Sequence, residues 1–184
     1  MCHYLTTVLP EKIDIGNNKG FLNEFQLSFE PIKNQHVIKQ LKAGEQYLRT
    51  TNYDCDCGTA IGVLAARKTD KDIDLNQKEK IKSFKKEGWS ETKINRWLQQ
   101  QKLNEEKKDK EAIRYSEEAE NWIEFFKAAL INHKIPYIGL LLHWYETNIE
   151  TERIEIKKRE VIRFNELNID RILKMNENIL YEIR

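Results

Sequence analysis

Three cysteines carry the most legible chemistry in this chain. Cys2 stands beside His3, and Cys55 and Cys57 form a C-x-C pair inside the run Tyr53-Asp54-Cys55-Asp56-Cys57-Gly58-Thr59. Two thiolates one residue apart can grip a single zinc ion, and a structural zinc takes four tetrahedral ligands. Cys2 is the third candidate ligand and His3 the fourth. His36, His133 and His143 are further imidazoles, and Asp54 and Asp56 are harder oxygen donors. The familiar zinc knuckles use C-x-x-C in pairs, so this spacing departs from that pattern. The plainer reading is three ordinary, partly buried thiols.

Two other thiol chemistries fit the same residues. A Cys2 freed of Met1 has its own α-amino group at hand as a general base. The Met1-Cys2 start resembles that of the N-terminal-nucleophile glutamine amidotransferases. The resemblance implies a hydrolase or amidotransferase with Cys2 as catalytic nucleophile. It covers those two residues only, and the glycine that follows in that class is His3 here. The C-x-C pair can also close a strained disulfide, more easily reduced than a relaxed one, with Cys2 as resolving thiol. No thioredoxin-type C-x-x-C, P-loop, G-x-G-x-x-G, H-E-x-x-H or G-x-S-x-G pattern occurs.

The elements that must position these residues follow from the apolar pattern. Residues 2–9 read as a strand ended by Pro10, and residues 45–51 as a second strand leading into the C-x-C run. Residues 14–20 have turn composition, and residues 21–27 read as a short helix. Asn34 is placed to cap a helix carrying Val37, Ile38 and Leu41, stopped by Gly44. Residues 59–67 suit a helix with Cys57 near its first turn. The free N–H groups there favour a thiolate, and the charges of Asp54 and Asp56 oppose it.

From Lys68 to about Lys134 the chain turns rich in Lys, Glu and Gln and reads as helices on either side of Gly88, with Ser90 as an N-cap. Its amphipathic stripe is Ala112, Tyr115, Ala119, Trp122, Ile123, Phe126 and Leu130. Residues 137–145 and 153–164 read as long strands, 169–175 as a short helix and 179–183 as a last strand. The expected fold is therefore α+β: a mainly antiparallel sheet with helices on one face and an inserted long helical hairpin. Residues 1–67 begin the body, 68–134 form the insertion, and 135–184 complete the body.

Length and charge narrow the function classes. A chain of 184 residues is long enough for a core that needs no disulfide. Net charge is +1, so no general attraction to nucleic acid or to an anionic membrane is expected. No apolar run approaches the roughly 18 residues of a membrane span, and no basic-then-apolar leader is seen. An odd, low cysteine count argues for a reducing cytoplasm over a secreted disulfide framework. Lys80, Lys82, Lys85, Lys86, Lys93 and Arg96 give residues 80–101 a helix–turn–helix outline that could meet nucleic acid. Interleaved acids favour a plain helical hairpin with a solvated face. The leading expectation is a binding or regulatory protein with an unknown protein partner and a zinc site at Cys2, His3, Cys55 and Cys57.

Overall fold

Strand β1 (Cys2–Pro10) lies in the middle of the sheet because its β-branched and aromatic residues can be buried on both faces. The structure, a computed structural model, describes residues 2–10, 13, 19–51, 53–67 and 77–184. β1 pairs antiparallel with β4 (Ile138–Tyr145) along Cys2 to Val8, and antiparallel with β3 (Glu45–Thr51) along Thr6 to Pro10. Outside these lie β2 (Leu27–Pro31), β6 (Ile179–Ile183) and β5 (Lys158–Ile162), giving the order β2-β3-β1-β4-β6-β5.

Side chains alternate across a strand, so the sheet has two apolar faces. One carries Leu5, Leu9, Leu48, Leu140 and Leu142. It is covered by α1 (Lys19–Glu24), α3 (Ala60–Arg67), α5 (Glu91–Lys127) and α6 (Ile169–Leu173). Trp122, Phe125 and Phe126 of α5 are buried here, each stabilising the fold by about 1.5–3 kcal/mol. The other face, with Val8, Tyr47, Leu141 and Leu180, is closed by α2 (Gln35–Ile38) and by Ile154.

The α+β class and the mainly antiparallel sheet agree with the sequence pattern. Three details differ. The sheet has six strands where the pattern implies five, because β2 escapes notice: it is short, ends at Pro31 and is broken by Phe29 at a φ of 53°. The run 153–164 contributes only the edge strand β5, which lies parallel to β6. The expected long hairpin is not clear: α4 (Gln77–Lys86) has 10 residues and α5 has 37. Strong helix formers carry α5 unbroken through the polar stretch 99–111. Gly88, at a φ of 77°, provides the break before it, and Ser90 caps its start by accepting from the Lys93 N–H. The turn expected at 14–20 lies largely outside the described residues.

Candidate metal centre

β3 pairs with β1 only from Thr6 onward, which leaves the edge of β1 near Cys2 without a strand partner on that side. The C-x-C loop takes that place. The Asp56 N–H donates to the His3 carbonyl at 2.8 Å, the Leu5 N–H to Asp56 Oδ2 at 2.8 Å, and the His3 N–H to Cys57 Sγ at 3.2 Å. The Thr51 hydroxyl donates to Asp56 Oδ1 at 2.9 Å. Asp56 thus ties the loop to two strands through both its backbone and its carboxylate. Its side chain is buried, and burial pushes its pKa above the ordinary value despite these hydrogen bonds.

Behind the loop, α3 is anchored to the same residue. The Asp56 carbonyl accepts from the Thr59 N–H at 3.0 Å and from the Thr59 hydroxyl at 2.8 Å. Thr59 Oγ1 in turn accepts from the Gly62 N–H at 3.3 Å, an N-cap for the helix. Glu118 of α5 reaches across to accept the Ala60 N–H at 2.9 Å.

This frame brings together three sulfurs. The Sγ atoms of Cys2, Cys55 and Cys57 lie within 4.8 Å of one another, and all three residues are partly buried and unbridged. Zn–S bonds of about 2.3 Å in a tetrahedron put ligand sulfurs about 3.8 Å apart, so small side-chain adjustments close the trio on one ion. Their protonation is uneven. The Cys57 N–H, directed at Cys55 Sγ, holds the Cys55 thiol below its ordinary pKa, helped by the neighbouring thiols. Burial, with the nearby Cys55 sulfur adding to it, pushes Cys57 up to about 11. The sequence places Cys57 near the helix start, where N–H groups favour a thiolate, but burial outweighs that effect and raises the thiol.

The remaining sequence candidates are placed elsewhere. His3 is not part of the sulfur set. Adjacent strand residues point to opposite faces, and its imidazole is buried with Nε2 2.7 Å from Glu177 Oε1 and its ring edge-on to Trp144. His143 Nδ1 lies 2.6 Å from Asn178 Oδ1, His133 packs against Phe21, and His36 is exposed on α2. Asp54 is exposed. The Cys2-nucleophile reading turns on Met1, which lies outside the described residues. Of the basic residues considered for nucleic acid, Lys93 sits 3.8 Å from the centre of the Trp89 ring, itself stacked on Phe84.

Sequence reasoning missed the anchoring role of Asp56 and the reach of Glu118. Asp56 sits between the two cysteines and Glu118 on the amphipathic helix next to Ala119, but neither position betrays its distant partner. Among the described residues no helix is long and apolar enough to cross a membrane. Compared with known protein families, with curated protein sequences and with solved structures, the chain matches none of them.

Proposed function

We propose that this is a binding or regulatory protein whose C-x-C loop is fixed by a zinc ion on Cys2, Cys55 and Cys57. The observation that carries the reading is the convergence of three sulfurs, from two segments more than fifty residues apart, within 4.8 Å. Such a site joins the start of the central strand to the loop and to α3. Metal affinity then becomes folding stability for this corner of the molecule. Three thiolates neutralise the ion with one negative charge in excess. The fourth position is taken by water or by a donor from a ligand. The polar length of α5, where Leu103 and Ile113 are exposed, is the surface proposed for a protein partner.

The test is the metal itself. Purified reduced protein titrated with cobalt(II) should show a sulfur-to-cobalt charge-transfer band saturating at one ion per chain, displaced by zinc. Cys55→Ser, Cys57→Ser and Cys2→Ser should each weaken it. A chain that binds neither ion, and shows no difference between wild type and these variants, overturns the reading.

A further inference from the structure

We infer that the cleft between the C-x-C loop and helix α5 is a binding site for a small organic cation, a protonated amine on a flat apolar body. The cleft has a volume of about 520 Å³, within the range of small-molecule sites. Its walls are unlike a solvated gap. Leu5, Phe25, Leu27, Trp122 and Phe125 line it, and Trp122 and Phe125 are otherwise buried in the core. Aromatic walls suit both an apolar body and the attraction of a cation to a ring face.

The sign of the charge comes from depth. At the rim, Arg114 and Glu117 are both exposed. Deeper in, Asp56 is buried and Glu118 half-buried, and the cleft has no second basic residue among those that line it. Glu118 uses Oε2 for the Ala60 N–H, and Oε1 takes no part in that bond. Burial raises the pKa of Glu118, and the Ala60 N–H and the Arg114 charge oppose that rise. A bound ammonium reverses that penalty by pairing with the charge that desolvation disfavours. A carboxylate or phosphate ligand would face Glu118, and among the residues that line the cleft only Arg114 favours it. Cys55 also lines the cleft, so a ligand there lies beside the sulfur cluster.

The experiment is isothermal titration of the full reduced chain, with chelator and again with zinc, using three probes of one shape. These are phenethylamine, 2-phenylethanol and 3-phenylpropionate. The amine should bind about tenfold or more tightly than the alcohol, the value of one charged hydrogen bond, and the carboxylate should bind weakest. Glu118→Gln keeps an acceptor for Ala60 and should cost the amine about tenfold while leaving the alcohol unchanged. Glu117→Gln, fully at the rim, should cost it less than Glu118→Gln, and it serves as the variant if Glu118→Gln fails to fold. Amine affinity should fall as pH drops and Glu118 takes up its proton. The inference is overturned if the amine shows no saturable binding, binds no tighter than the alcohol, or loses nothing in the glutamine variants. It is equally overturned if the carboxylate binds best. Binding with chelator alone keeps this cleft distinct from any failure of the zinc site.

Discussion

Gly62 of α3 faces the carbonyl oxygen of Asp56 so closely that a β-carbon on residue 62 would lie 2.0 Å from it. No side chain fits there without moving helix and loop apart. The contact lets α3 press on the segment that holds Cys55 and Cys57, so the helix sets the position of two of the three sulfurs.

Gly62→Ala should therefore separate helix from loop. Overpacking of this kind typically costs about 1–3 kcal/mol, and a backbone carbonyl gives way less readily than a side chain. We expect a lower denaturation midpoint together with weaker cobalt binding. Gly58→Ala is the control: a β-carbon at Gly58 meets nothing within 4 Å, so stability and metal binding should stay close to wild type. Equal effects of the two substitutions in denaturant melts would remove Gly62 from the account of the site.

Zinc uptake should release protons. Cys57, held up to about 11, is a thiol at neutral pH and must become a thiolate to ligate. Each proton displaced makes the apparent affinity rise about tenfold per pH unit, as long as the pH lies below the pKa of the thiol concerned. Calorimetry in buffers of different ionisation enthalpy counts these protons directly. Cys57→Ser should release fewer protons than wild type. An affinity independent of pH between about 6 and 8 would contradict thiol ligation.

Asp56 gives a second pH dependence with the opposite origin. Its folded pKa is raised above the ordinary 3.8, chiefly by burial. In the window between that value and the raised one, the native state binds the proton more tightly than the unfolded chain does. Unfolding then releases a proton, and the contribution of Asp56 to stability falls as pH rises through the window. Below 3.8 both states are protonated and the effect is fully in favour of folding. Melting curves from about pH 4 to pH 7 should show wild type losing stability relative to Asp56→Asn as pH rises. A difference between the two proteins that stays constant across the range would mean that the carboxyl titrates normally.

Local signals in the sequence were readable where the element is made by its own residues. The N-caps Asn34 and Ser90, the last strand at 179–183 and the helix after the C-x-C run all appear where pattern and capping chemistry put them. The meeting of Cys2 with Cys55 and Cys57 was legible as a possibility, because the first strand and the strand before the loop were both recognisable. What decides it was not. The loop docks on the unpaired part of β1 through backbone groups, and backbone donors carry no sequence mark. His3, the expected fourth ligand, is not among the residues whose donor atoms converge, and strand alternation sends it to the face opposite Cys2. Its actual neighbour, Glu177, lies 174 residues away along the chain. β2 was hidden for a related reason: a bulge between Leu27 and Glu30 breaks the period of two on which strand recognition depends.

Asn34 should prove the most costly single polar residue to lose on the face opposite α5. It is fully buried and satisfied on both ends of its amide. Oδ1 accepts from the His36 and Val37 N–H groups at 3.0 and 3.3 Å, capping α2. Nδ2 donates to the carbonyls of Ile149 and Glu152, each at 2.9 Å, and so pins the turn after β4 against the sheet. Asn34→Ala removes a cap worth about 1 kcal/mol and leaves two carbonyls short of a donor, for a total of about 2–4 kcal/mol. In a chain of this size that is a fall of roughly 5–15 °C in Tm. Asn34→Asp restores the cap but turns a carboxylate toward two carbonyl oxygens, so it should recover little at neutral pH and more in acid, where the protonated acid can donate one bond. Cobalt stoichiometry should be unchanged in both variants, because the sulfur trio is held by contacts that do not include Asn34. A variant that melts like wild type would show that water replaces the amide at both carbonyls, and loss of metal along with stability would show that the two faces of the sheet unfold as one unit.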